Sequence, residues 1–280
     1  MKIEKILLKE HFEGLGESPA VLETYIQPCD NEYKITNRPA MIIFPGGGYH
    51  FTSHREAEPV ALRFATLGYQ CFVLWYTCAP ARYPQQLLEG TAAVAYVRQH
   101  AEEFNVDPKR ISVMGFSAGG HCAGMAGTLW AEPIVAEKLG VEPLAARPDA
   151  MVLCYPVISG GEYAHRGSFD NLLGEDPSEA LLHKTSLEYA VNETTPPTFL
   201  WTSADDNCVP GENTLMMAAS LKRHKVPFEV HVFGSLPHGA SLANEQVYAS
   251  GVAHAGINPR VAKWPEECDC WLREQYARMQ

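Results

Sequence analysis

No stretch of 18 uncharged apolar residues occurs in this 280-residue chain, which argues against a membrane-spanning helix. The first ten residues hold an apolar core far shorter than that of a secretory signal, so the sequence predicts a soluble, cytoplasmic protein with no membrane partner. Basic residues are the scarcer charge: 22 Lys and Arg stand against 33 Asp and Glu, for a formal net charge of −11. With no basic stripe to neutralise phosphates, nucleic acid is not an expected partner. The Gly-x-Gly-x-x-Gly spacing of a dinucleotide loop is missing, as are internal repeats and low-complexity tracts. Cysteine is present at positions 29, 71, 78, 122, 154, 208, 268 and 270, mostly inside apolar runs, the pattern of reduced core thiols. Cys268 and Cys270 stand two apart with no second pair at ligand spacing, so no metal site is expected.

What is present is apolar material. At 46% hydrophobic and 20% charged, a chain of this length can bury roughly three quarters of its unfolded surface without staples. One domain over residues 1–280 is expected. Short apolar runs alternate with longer helix-period segments, the signature of an α/β architecture with a mostly parallel, doubly wound sheet and helices on both faces. Residues 40–44, 71–75, 111–114, 151–155 and 198–202 read as strands covered on both faces, and 230–233 as the last inner strand. Residues 21–27 alternate apolar and polar, as in a strand near an antiparallel edge. Residues 59–67, 85–103, 213–224 and 259–279 read as helices, that over 85–103 as a surface crossover, and Trp264 and Trp271 as core anchors. Ser53 and Glu56 offer a capping box that competes for the start of the first of these helices. Between 159 and 197 the alternation breaks, and residues 160–196 are expected to form an excursion over the top of the sheet near a site mouth.

The strongest chemical signal is Gly115-Phe-Ser117-Ala-Gly119, set directly after one strand and directly before a helix of small residues. A serine in a tight strand-to-helix turn needs glycines two residues either side, and the turn exposes its Oγ at the helix N-terminus. There the Ala118 amide points at any developing oxyanion. Serine is a weak nucleophile without a base held by a carboxylate. In this arrangement the order along the chain is serine, acid, histidine. His238, beside Pro237 and Gly239 after the last strand, suits the base. The acid is one of Asp205 and Asp206: counting forward from the strand end favours Asp205, and counting back from Val209-Pro210 favours Asp206. We take Asp205 as the acid, which leaves Asp206 to cap the following loop.

An earlier loop, Pro45-Gly46-Gly47-Gly48-Tyr49, follows the strand at 40–44 and precedes Ser117 by about 70 residues. Its bare amides can approach a carbonyl oxygen, so this loop is expected to supply the second half of the oxyanion hole beside Ala118. Tyr49 and His50 beside the glycines, and His121 one turn past Ser117, are candidate substrate contacts; Trp75 and Tyr76 could also meet a substrate, but read equally well as half-buried strand-end aromatics.

Together, Pro45-Gly-Gly-Gly-Tyr, Arg55-Glu-Ala-Glu-Pro59, Gly115-Phe-Ser-Ala-Gly-Gly-His121, Thr-Ser-Ala-Asp205-Asp206 with Val209-Pro210, and Pro237-His238-Gly resemble the α/β-hydrolase esterases. More narrowly they are similar to the acetyl esterase and acetyl xylan esterase group near the BD-FAE (bifunctional feruloyl and acetyl xylan esterase) type, over residues 15–275. The resemblance implies an α/β-hydrolase fold, Ser117 as nucleophile, His238 as base and an aspartate at 205 holding the imidazole. The doublet also matches prolyl oligopeptidase-like chains, in which the first aspartate serves. Hormone-sensitive-lipase-type esterases carry a histidine before the three glycines, where this chain has Pro45, so the resemblance carries over only the amide donors, Gly47 and Gly48 with Ala118.

The expected activity is that of a serine carboxylesterase removing small acyl groups, above all O-acetyl groups from xylo-oligosaccharides, through an acyl-enzyme and without metal or organic cofactor. The expected partner is a small-molecule ester, an acetylated saccharide; association into a homo-oligomer is left open. A prolyl-oligopeptidase-like peptidase is the rival enzyme, although no gating domain is evident, and a silent hydrolase fold used for binding is the rival of another class.

Overall fold

Alternation along a strand sends neighbouring side chains to opposite faces, and a run that is apolar at every position must be covered on both. The strand Arg38–Phe44 does this: Ala40, Ile42 and Phe44 enter one core, Met41 and Ile43 the other, all fully buried. It belongs to a computed structural model that describes residues 1–30, 32, 34–248 and 256–279, so the remaining positions of the single domain expected over 1–280 lie outside the description.

In chain order the elements are β1 (Lys5–Leu7), β2 (Val21–Tyr25), β3 (Arg38–Phe44), α1 (Glu58–Thr66), β4 (Gln70–Trp75), α2 (Gln85–Gln99), β5 (Val106–Phe116), α3 (Ala118–Thr128), α4 (Pro133–Leu139) and β6 (Ala150–Cys154). Three short helices follow, α5 (Arg166–Leu173), α6 (Glu179–Thr185) and α7 (Leu187–Ala190), then β7 (Thr198–Ser203), α8 (Glu212–Arg223), β8 (Phe228–Phe233) and α9 (Trp264–Arg278). The sheet order is β1-β2-β4-β3-β5-β6-β7-β8. The β1–β2 and β2–β4 pairings are antiparallel and every later pairing is parallel. This is the mostly parallel, doubly wound sheet expected. One core packs α2, α3 and α8 on one face, and the other packs α1 and α9, with Trp264 and Trp271 buried, on the opposite face.

Two local expectations fail. The α2 helix is not a surface crossover: every residue from Gln86 to Val97 is buried. The N-terminal segment covers it, with Leu8, Phe12 and Leu15 in the same core and the Ser18 hydroxyl donating to Glu89 at 2.6 Å. Glu89 can lie inside because Thr77 and Gln85 donate to it as well. Nor do Ser53 and Glu56 form a capping box, since the Ser53 side chain makes no cap bond and the Glu56 side chain turns inward. Between β6 and β7 lie α5, α6 and α7, and Asn171 Nδ2 of α5 donates to the Gly48 carbonyl of the glycine loop at 2.9 Å. Among the described residues no helix is long and apolar enough to cross a membrane.

Candidate active site

Parallel strands present their C-terminal ends, and the loops that follow them, along one edge of the sheet. The glycine loop follows β3, Ser117 follows β5, Tyr155 follows β6, Asp206 follows β7 and His238 follows β8.

Ser117 sits in a strained turn, with φ 54° and ψ −122°, between β5 and the first residue of α3. The chain can pass so tightly because of its flanking glycines. A Cβ at Gly115 would lie 2.1 Å from the Gly119 carbonyl oxygen, and one at Gly119 2.1 Å from that of Phe44. The Ser117 amide donates to the Cys154 carbonyl and its own carbonyl accepts from Val157, which ties the turn to β6. Ser117 is buried but for 8% of its surface, and its Oγ lies 2.8 Å from His238 Nε2.

The other imidazole nitrogen, Nδ1, lies 2.8 Å from Asp206 Oδ2. A carboxylate only accepts, so Nδ1 carries the proton and Nε2 of the neutral ring is left to accept from the serine hydroxyl. Asp206, not Asp205, therefore holds the histidine, a correction to the strand-end count. The reason is one turn. β7 runs on to Ser203, and the Asp206 amide closes a turn back to the Ser203 carbonyl, which puts Asp205 at the exposed apex and Asp206 beneath it. The Asp206 carboxyl, 1% exposed, also accepts from the Cys208 and Val209 amides through Oδ1. One side chain thus caps its loop and orients the histidine. Ser203 locks the two loops together, since its Oγ donates to the Gly234 carbonyl and accepts from the Leu236 amide.

These groups face a cleft of about 300 Å³ lined by Gly47, Gly48, Phe51, Ser117, His165 and His238, with Arg55 and Cys208 also in its wall. The glycine loop touches the serine turn: a Cβ at Gly46 would stand 3.0 Å from Ser117 Cβ. Gly47 has φ 132°, and a Cβ there would meet the Phe51 carbonyl oxygen at 2.1 Å, so only glycine fits. Among the described residues the Gly46 amide is engaged by Glu56 Oε2 at 2.8 Å, whereas the Gly47, Gly48 and Ala118 amides have no acceptor. Burial and the neighbouring Asp206 raise the Cys208 thiol, which keeps it in the protonated form. Burial, and then the proximity of His238, lower the His165 imidazole, which keeps it neutral beside His238.

Three expected substrate contacts are not in this cleft. Tyr49 and His121 are fully buried and bond to each other, Tyr49 Oη donating to His121 Nδ1 at 2.8 Å while His121 Nε2 donates to the Thr185 carbonyl at 2.7 Å. Burial pushes the His121 imidazole down to about 4. With φ 58° at Tyr49 the chain folds under the loop, which carries the ring inward. His50 is exposed, its ring set edge-on to Phe51 outside the cleft wall. Trp75 donates to Glu23 and Tyr76 to the Pro45 carbonyl, and neither lines the cleft. Glu56, Tyr155 and His165 are the neighbours that the motifs did not single out for the site. Glu56 carried a signal, an acid eight residues past the glycine run, but its burial depends on the fold.

The BD-FAE family model matches residues 29–221. Endo-1,4-beta-xylanase B of Butyrivibrio fibrisolvens is 35% identical over 216 residues, 76% of this chain and 34% of that protein. The acetylxylan esterase of Xylanibacter ruminicola is 30% identical over 176 residues, 61% of this chain and 34% of that protein. The chain thus spans about a third of the length of these curated relatives. Among solved structures, the acetyl ester-xyloside bifunctional hydrolase of Caldicellulosiruptor lactoaceticus is 37% identical with a TM-score of 0.82, covering 97% of this chain and 96% of that one. The carboxylesterase Cest-2923 of Lactobacillus plantarum is 28% identical with a TM-score of 0.84, covering 98% of each chain. With an α/β-hydrolase sheet, a serine elbow and a family match over more than half its length, the chain belongs to the BD-FAE family.

Proposed function

We propose that this protein is a serine carboxylesterase that removes short acyl groups, chiefly O-acetyl groups from xylo-oligosaccharides, through an acyl-enzyme on Ser117. The observation that carries the reading is the unbroken chain from Ser117 Oγ to His238 Nε2 and from His238 Nδ1 to Asp206 Oδ2, each link 2.8 Å, opening on a cleft beside unpaired amides. In the first half-reaction Ser117 Oγ attacks the ester carbonyl as His238 takes its proton, and Asp206 stabilises the imidazolium. The amides of Ala118 and of Gly47 or Gly48 receive the oxyanion at the N-terminus of α3. His238 then gives its proton to the leaving alcohol. Water enters, His238 takes one of its protons, and the hydroxyl displaces the serine, releasing the acid and restoring the Ser117 hydroxyl.

A cleft of about 300 Å³, at the small end of ligand pockets, suits a small acyl group. The saccharide as alcohol half is supported by relatives named acetylxylan esterase and acetyl ester-xyloside hydrolase. The test is a panel of aryl acetate, butyrate, octanoate and ferulate esters with acetylated xylo-oligosaccharide, following acetate release. Preference for acetate and release from the sugar are expected. Cleavage of a dipeptide aryl amide with no action on any ester would overturn the reading.

A further inference from the structure

Glu56 is a buried acid, 3% exposed, with no Lys, Arg or His within ion-pair distance among the described residues. Such a group is costly to bury unless its oxygens are satisfied, and here each oxygen takes a bond from a different part of the site. Oε2 accepts from the Gly46 amide at 2.8 Å and Oε1 from the Tyr155 hydroxyl at 2.6 Å. The Tyr155 hydroxyl in turn accepts from the Ser241 amide at 2.9 Å, three residues past His238. Ser241 is held twice more, its Oγ donating to the Arg55 carbonyl at 2.7 Å and its carbonyl accepting from Trp264 Nε1 at 3.0 Å.

The backbone is strained along this path. Tyr155 has φ 37° and Ser241 φ 52°, both in the left-handed region that side-chain-bearing residues avoid. Strain of that kind persists only where the surroundings impose it. Here both strained residues meet at one hydrogen bond that ends on Glu56, and the Tyr155 ring also stands edge-on to His238, with centroids 5.1 Å apart.

From this network we infer that Glu56 is a positioning residue that sets the glycine loop and the histidine loop against Ser117 for formation of the oxyanion. By engaging the Gly46 amide it fixes the loop so that the next two amides point to the cleft. Through Tyr155 and Ser241 it fixes the segment that follows the base. The inference rests on the esterase reading, and it concerns the height of the barrier rather than the binding of the ester.

The test compares wild type with Glu56→Gln and Tyr155→Phe. Gln keeps the volume but can accept only one of the two bonds, and Phe removes only the hydroxyl. Each variant is expected to lower kcat on an aryl acetate about 10- to 100-fold with KM nearly unchanged, and the double variant is expected to lose less than the product of the two. A trifluoromethyl ketone, which forms an oxyanion on the serine, should lose affinity by the same factor. The matched methyl ketone should not, a split that loss of folded protein cannot produce. Should Glu56→Gln fail to fold, Tyr155→Phe carries the same comparison. Folded variants with wild-type kcat and wild-type affinity for the trifluoromethyl ketone would overturn the role, as would equal losses of both ketones. A wild type that hydrolyses no ester would instead remove the esterase reading beneath it.

Discussion

Replacing Asp206 by Asn separates the two adjacent aspartates by function. Asn keeps the shape, and its Oδ1 can still accept from the Cys208 and Val209 amides, so the loop should hold. The cost in stability is then about 1 kcal/mol, that of exchanging a charged hydrogen bond for a neutral one. At the histidine the change is larger. With Oδ1 so used, the amide nitrogen faces His238 Nδ1, donor against donor across the present 2.8 Å contact. The ring resolves the conflict by moving its proton to Nε2, which then points a donor at Ser117 Oγ and leaves no base there. The negative charge that balanced the imidazolium, in a carboxyl only 1% exposed, is lost too. Together these should lower kcat by about 10³ to 10⁴, or roughly 4 to 5.5 kcal/mol of barrier. Asp205 is exposed at its turn, so Asp205→Asn should leave kcat within about twofold and stability within about 0.5 kcal/mol. The assay is initial-rate hydrolysis of 4-nitrophenyl acetate near neutral pH on both variants, with thermal melts to normalise for folded protein. A thousandfold loss in Asp205→Asn with Asp206→Asn active would refute the assignment.

Two further outcomes follow from the geometry. His121 falls from 6.5 in the open chain to about 4 in the fold, so below pH 6.5 the unfolded chain binds a proton that the native state refuses. Stability is therefore level above that pH and declines as pH drops toward 4, by an amount on the order of 3 kcal/mol; denaturant titrations should show this limb flattened in His121→Gln, and an unchanged limb would contradict it. Gly47→Ala should cut kcat about 100-fold or more, because its Cβ would strike the Phe51 carbonyl, whereas Gly48→Ala meets nothing nearer than Ser168 Oγ at 3.9 Å. Gly48→Ala should lose only about 1 kcal/mol of stability for its φ of 64°, measured by melts alongside rates, and equal damage from both would show that steric fit is not what sets the loop.

Much of the fold was legible because its signals are local. A strand apolar at every position, such as 71–75, must be covered twice, and the glycines about Ser117 announce a close turn whatever surrounds them. The short edge strand β1 was not legible, since three residues carry no period. The burial of α2 escaped because its cover comes from residues 8–18, far off in the chain. At the site, residue types were legible and their facing was not. Asp205 and Asp206 differ by one step of a turn whose closing bond no spacing reports. Tyr49 and His121 look like cleft residues by position, and they lie inside, Tyr49 because the chain turns under the loop at its left-handed φ and His121 because it sits on α3, which is buried along its length. Glu56 reads as a surface acid until Gly46 and Tyr155, 10 and 99 residues away, are brought to it.

In the proposed reaction Ser117 carries the acyl group. The most direct measurement is intact-mass and peptide analysis of the protein quenched in acid during turnover of 4-nitrophenyl acetate, wild type beside Ser117→Ala. One acetyl group is expected on the peptide containing Ser117, chasing away as turnover proceeds, and none on the variant, which should be inactive. Acetyl on another residue, or full turnover by Ser117→Ala, would contradict that role.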